Sequence, residues 1–115
     1  MDTFERLTAV LKERKDADVG SSYVASLYRQ GVDAILKKLG EESAETIVAA
    51  KNCAGAAPDA ALVHEVADLW FHSLVLLVHL GQEPRWVLDE LDRRAGVSGL
   101  TEKSQRSSAP ATRTP

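Results

Sequence analysis

The stretch VDAILKKLGEESAETIVAAKNC, residues 32–53, decides the fold. At 100° per residue, Val32, Leu36, Leu39, Ser43, Ile47 and Ala50 fall along one stripe, and the spacing predicts the longest clean helix of the chain. Asn52–Asp59, rich in Ala, Gly and Pro, reads as the turn out of it. Asp59 then caps a helix from Ala60 to Leu80, closed by Gly81. Upstream, Gly31 ends a short helix carrying Tyr23, Val24 and Leu27, with Ser21 or Ser22 as its cap. Lys15–Ser22 is polar and reads as a loop. Phe4, Leu7, Val10 and Leu11 follow helical spacing behind an Asp2/Glu5 capping box. A last helix starts at Pro84 and runs to about Ala95, before Gly96. No segment alternates polar and apolar residues as a half-buried strand does, so the fold class is all-α.

The second half of the Ala60–Leu80 helix (Leu69, Trp70, Phe71, Leu74, Val75, Leu77, Val78) is apolar on most sides and needs cover from several neighbours. A chain of 115 residues has few helices to offer, so a dimer sharing a bundle core is expected. One domain is read over residues 1–106. From Ser98 the large apolar residues thin out to Leu100 alone, and residues 107–115 have the composition of a disordered tail.

Composition excludes several functions. The lone Cys53 rules out an intrachain disulfide framework and suits a reducing cytoplasm. No basic segment followed by a short apolar run stands at Met1, so no secretory signal is expected. The most apolar stretch, Leu69–Leu80, spans 12 residues and includes two His and a Ser. Spanning a membrane takes roughly 20 apolar residues, and no membrane role is expected. With 14 Lys plus Arg against 17 Asp plus Glu, the net charge of −3 argues against a nucleic-acid coat.

Five acids carry the chemistry. Glu41, Glu42 and Glu45 span about 100° of one helix face, and Glu65 and Asp68, three apart, share a face of the next helix. The short turn makes the two helices antiparallel neighbours with Glu45 and Glu65 at similar depth. Carboxylates gathered this way need raised pKa values or bound cations, and oxygen-only ligands favour Mg²⁺, Mn²⁺ or Ca²⁺ over zinc. Either acidic pair alone is ordinary solvated surface. Together, with Asp68 leading into the most apolar stretch, they point to a metal site that captures a polyphosphate. His72, four residues after Asp68, is read as a hydrogen-bonded core histidine, with orientation of Asp68 or substrate contact as the alternative. His64 and His79 show no partner in the sequence and are read as structural. Gly40 either admits a close approach beside Glu41 or reflects drift. Lys37, Lys38 and Lys51 are phosphate contacts or plain solvated lysines. A nucleophile elbow, a Walker loop and a dinucleotide fingerprint are all missing from the sequence.

With Glu41-Glu42-Ser43-Ala44-Glu45 and Glu65-Val66-Ala67-Asp68 in place, the sequence resembles the phosphoribosyl-ATP pyrophosphohydrolases of histidine biosynthesis, within the all-α, MazG-like nucleoside-triphosphate pyrophosphohydrolases. Ser21-Ser22-Tyr23 with Leu27 and Gly31, Lys37-Lys38-Leu39-Gly40, and Ser98-Gly99-Leu100-Thr101-Glu102-Lys103 carry the resemblance to the histidine-pathway branch. It covers roughly Phe4 to Arg106. The resemblance implies a helical bundle, usually a homodimer, and Mg²⁺-dependent hydrolysis of 1-(5-phosphoribosyl)-ATP to 1-(5-phosphoribosyl)-AMP and pyrophosphate. By position, it implies Glu42, Glu45, Glu65 and Asp68 as metal ligands, with Glu41 as a further ligand or acting on the attacking water. It also makes Lys37, Lys51, Arg94 and Lys103 candidate phosphate contacts. A house-cleaning enzyme of the same superfamily would keep all five acids and differ in substrate, and a non-catalytic scaffold dimer would leave them solvated.

Overall fold

The structure, a computed structural model, describes residues 2–96. Lys103, the Ser98–Lys103 ending and the tail at 107–115 lie outside the described residues. Five helices follow in order: α1 (Thr3–Glu13), α2 (Tyr23–Gln30), α3 (Val32–Lys51), α4 (Ala60–His79) and α5 (Arg85–Ala95). Among the described residues there is no strand. The chain divides into two units, residues 1–82 and residues 83–115.

The helix starts follow the expected caps. Asp2 Oδ1 accepts from Glu5 N at 2.8 Å, Ser22 Oγ from Ala25 N at 3.1 Å, and Asp59 Oδ1 from Leu62 N at 3.0 Å. Each satisfies one of the otherwise orphaned N–H groups of a first turn. The expected loop at Lys15–Ser22 contains two short 3-10 turns, Arg14–Asp16 and Val19–Ser21. Gly31 joins α2 to α3 at φ +97°, a conformation that only glycine adopts without strain. It lets one helix end and the next begin with no intervening loop.

In the first unit α3 and α4 make the most extensive contact, with α2 against α3 and α1 against α4. The apolar core (Leu11, Val24, Leu27, Ile35, Val75, Val78) gathers near the start of α3 and the end of α4, where α1 and α2 cover the pair. Tyr28 Oη donates to the Leu11 carbonyl at 2.8 Å, and its ring stacks on His79 with centroids 5.8 Å apart, so His79 has the partner that the sequence did not reveal. Burial of Tyr28 pushes its hydroxyl pKa up to about 12.

The buried line of α3 differs from the expected stripe. Ile35 and Glu42 are buried, with Leu39, Thr46 and Ala49 half-buried between and beyond them. Leu36, Ser43, Ile47 and Ala50 are exposed, Ile47 to 64%. α3 has apolar residues on two sides, and packing against α4 selects one of them. The acids therefore do not merely flank the core: Glu42 is part of its lining. On α4, Val63 and Trp70 are exposed, Trp70 to 70%. With 20 residues and an 18-residue stretch of mean hydropathy 1.5, α4 is long and apolar enough to cross a membrane by length and composition alone. The 12-residue count had taken in only its second half.

In the second unit Pro84 precedes α5 as its N-cap rather than its first residue, a difference of one position. Arg85 pairs with Asp89 at 3.4 Å, and Arg93 Nε donates to Glu90 Oε1 at 2.6 Å along the helix surface.

Candidate active site

The antiparallel register brings residues of α3 and α4 together in pairs whose numbers rise on one helix as they fall on the other. Glu42 meets His72 and, nearer the connecting turn, Glu45 meets Glu65. Four of the expected residues thus converge: Glu42 and Glu45 from α3, Glu65 and Asp68 from α4. Glu41 stands at the exposed edge, where Lys38 Nζ lies 3.6 Å from its Oε2.

Glu42 is 4% exposed. Its Oε1 lies 2.6 Å from His72 Nδ1 but makes no hydrogen bond. Nδ1 is also 3.0 Å from the Asp68 carbonyl oxygen. Burial is the main cause pushing the Glu42 carboxyl above the usual range; Asp68 and Glu45 add to it, against the pull of His72 and Lys38. Glu65 is also raised, first by the adjoining Glu45 carboxyl and then by desolvation. Its Oε2 is closed off from water and finds no donor, as expected where one acceptor faces another. Both carboxylates therefore carry a cost that a proton or a cation would relieve.

That chemistry fits a hard divalent cation. Two buried carboxylate oxygens lack donors, and ligand atoms of His64, Glu65 and Asp68 lie within 4.8 Å of one another. Carboxylate oxygens in an open cluster suit Mg²⁺, which keeps part of its water shell. His64 Nε2 lies 3.2 Å from Asp68 Oδ2, so the partner that the sequence reading did not find is four residues along the same helix.

Of the expected phosphate contacts, Lys37 and Lys51 lie on α3 on other sides than Glu42, with Lys37 one turn before Glu41. Both are exposed, about 140° and 180° round α3 from Glu42. Lys38 pairs with Glu41, its ammonium held above the usual range first by attraction to Tyr23 and further by Glu41 and Glu42. Arg94 belongs to the second unit. Gly40 is exposed, and a Cβ built there meets nothing within 4 Å among the described residues.

The sequence reading also missed Tyr23 as a member of the site. Its Oη lies 2.8 Å from His72 Nε2, a contact across 49 residues. Burial, with Glu42, Glu41 and Asp68, pushes its hydroxyl pKa up against the opposing effect of Lys38. Helical spacing alone could have found the partner of His64, Asp68 at i+4. Nothing in the local sequence marks Tyr23. The family model for phosphoribosyl-ATP pyrophosphohydrolase matches residues 4–95.

Proposed function

Because the chain belongs to the phosphoribosyl-ATP pyrophosphohydrolase family, hydrolases of a phosphoanhydride with a role in histidine biosynthesis, we propose that its acid cluster binds Mg²⁺ and cleaves 1-(5-phosphoribosyl)-ATP to 1-(5-phosphoribosyl)-AMP and pyrophosphate. The observation that carries this reading is Glu42: a carboxylate almost wholly buried, without a hydrogen bond at Oε1, beside three further acids. Glu42, Glu45, Glu65 and Asp68 would hold the ion. When bound, Mg²⁺ neutralises charge on the phosphate chain and lowers the pKa of an attacking water.

The chain's own groups supply the rest. Water adds across the α–β phosphoanhydride, pyrophosphate leaves, and positioning with charge neutralisation dominates such transfers. No covalent nucleophile is required. Glu41 and Glu45 are the exposed acids of the cluster, open to the water whose proton must be taken up. Lys38, beside Glu41 at the edge, offers a cation to the phosphates.

The working form is a homodimer. Leu36, Ile47 and Val48 on α3, with Val63 and Trp70 on α4, are exposed within one chain. Several large apolar side chains exposed on the two central helices are the kind of surface that a partner covers. Gly40 and Ser43, on the same stripe of α3, allow a partner helix to approach closely. The same cover answers the apolar length of α4, whose Glu65, Asp68 and His72 suit a soluble bundle better than lipid. We place the enzyme in the cytoplasm, with a small-molecule substrate and no nucleic-acid partner.

The test is product analysis of the purified protein with phosphoribosyl-ATP, with and without Mg²⁺, beside a panel of deoxynucleoside triphosphates. Pyrophosphate released from phosphoribosyl-ATP only when Mg²⁺ is present is the expected result. Preference for the panel, or activity unaffected by chelation, overturns it.

A further inference from the structure

His72 is the most enclosed polar side chain of α4, 5% exposed, and both of its ring nitrogens are engaged. Nδ1 pairs with the Asp68 carbonyl oxygen at 3.0 Å and also lies 2.6 Å from Glu42 Oε1, a close polar contact without a hydrogen bond. With acceptors on that side, the hydrogen is assigned to Nδ1. In the neutral ring Nε2 is then the acceptor, and the Tyr23 hydroxyl donates to it at 2.8 Å. The ring plane is held as well. Tyr23 and Phe71 meet it edge-on, at interplanar angles of 84° and 81° and centroid separations of 5.7 and 5.2 Å.

One imidazole thus touches the side chain of one proposed metal ligand, Glu42 on α3, and the backbone of another, Asp68 on α4. Tyr23 ties it to α2, whose first residue it is, directly behind the Ser22 cap. A packing histidine needs none of this polar alignment. Groups that lock the rotamer of a ligand carboxylate lower the cost of organising it when the ion binds.

We propose that Tyr23 and His72 are positioning residues of the acid cluster: the Tyr23 hydroxyl fixes the imidazole, and the imidazole fixes the Glu42 carboxylate and the Asp68 backbone in the geometry that receives a divalent cation. This rests on the metal-binding reading above. Neither residue need touch substrate to act in this way.

The test measures Mn²⁺ binding to the full chain by titration calorimetry, with circular dichroism to follow helix content. Tyr23→Phe removes one oxygen from a half-exposed side chain and keeps the ring, so it is the main variant. It should weaken Mn²⁺ binding by about 10-fold or more, the usual effect of losing a group that supports a ligand. His72→Asn keeps an amide donor near the Nδ1 position and should bind Mn²⁺ more tightly than His72→Gln, which places its donor at the Nε2 end. A purely packing role predicts no such order. Wild-type affinity in Tyr23→Phe, or His72→Gln binding as tightly as His72→Asn, overturns the proposal while leaving the metal site standing. Absence of Mn²⁺ binding by the wild-type chain removes both. If the His72 variants fail to fold, Tyr23→Phe decides alone.

Discussion

The carboxyl of Glu65 on α4 adjoins that of Glu45 on α3, and this neighbour is the first cause of the raised Glu65 pKa. Two carboxylates brought together repel unless a proton or a cation neutralises them. The pair of helices therefore meets at a point where the apo protein is poorly compensated and a cation is welcome.

Cation affinity should consequently depend on pH above the ordinary carboxylate range. Glu42 and Glu65 are both raised from 4.5, so protons compete for the site before a typical Glu titrates. Calorimetric titration with Mg²⁺ at neutral and at mildly acidic pH should show weaker binding and greater proton release at the lower value. Equal affinities across that window would contradict it.

Glu42→Gln should separate stability from activity. The folded pKa of Glu42 lies above its unfolded value, so the folded state holds the proton more tightly and the ionised carboxylate costs stability at neutral pH. In chelator at neutral pH the variant should therefore melt higher than the wild type. That advantage should fade as pH falls through the raised folded pKa toward 4.5, where both states carry the proton. Pyrophosphate release should fall by about 100-fold or more, the scale on which loss of one transition-state electrostatic partner is felt. A variant that melts lower at neutral pH but retains activity refutes the argument on both counts.

Ile35→Ala should cost about 2–5 kcal/mol in chemical denaturation, because a fully enclosed side chain leaves a cavity between α3 and α4. A loss within the range of a surface substitution would mean that the core lies elsewhere.

Ser22→Ala should cost about 1 kcal/mol by removing the hydrogen bond to Ala25 N at the start of α2. The same change loosens the turn that presents Tyr23, so Mn²⁺ affinity should fall with it. Unchanged denaturation midpoints would show that the cap contributes nothing.

Ile47→Glu and Trp70→Glu address the dimer. Both side chains are exposed within one chain, so a charge there leaves the protomer's own core untouched. Light scattering coupled to gel filtration should show wild-type dimers and variant monomers with helical spectra. A monomeric wild type would sink the shared-core reading.

Much of the molecule is legible in one dimension because its causes are local. The caps at Asp2, Ser22 and Asp59, the breaks at Gly31 and Gly81, and the all-α class depend on residues within a turn of each other. The pairing of Glu45 with Glu65 was equally accessible, since a short connection forces antiparallel helices and depth can be counted from the turn. The face of α3 that packs inward was not. Leu36–Ser43–Ile47 and Ile35–Leu39–Thr46 are both plausible stripes, and periodicity does not rank them.

The amino-acid order alone thus determined where the helices begin and end, which two carry the acids, and that those acids share a level. Only the folded chain decided that Glu42 turns into the core, that Lys38 pairs with Glu41, and that Tyr23 reaches His72 across 49 residues. The reason is one of range. Capping and helical spacing act over three or four residues, whereas the rotation of a helix about its axis is chosen by its neighbours, through burial summed over the whole contact.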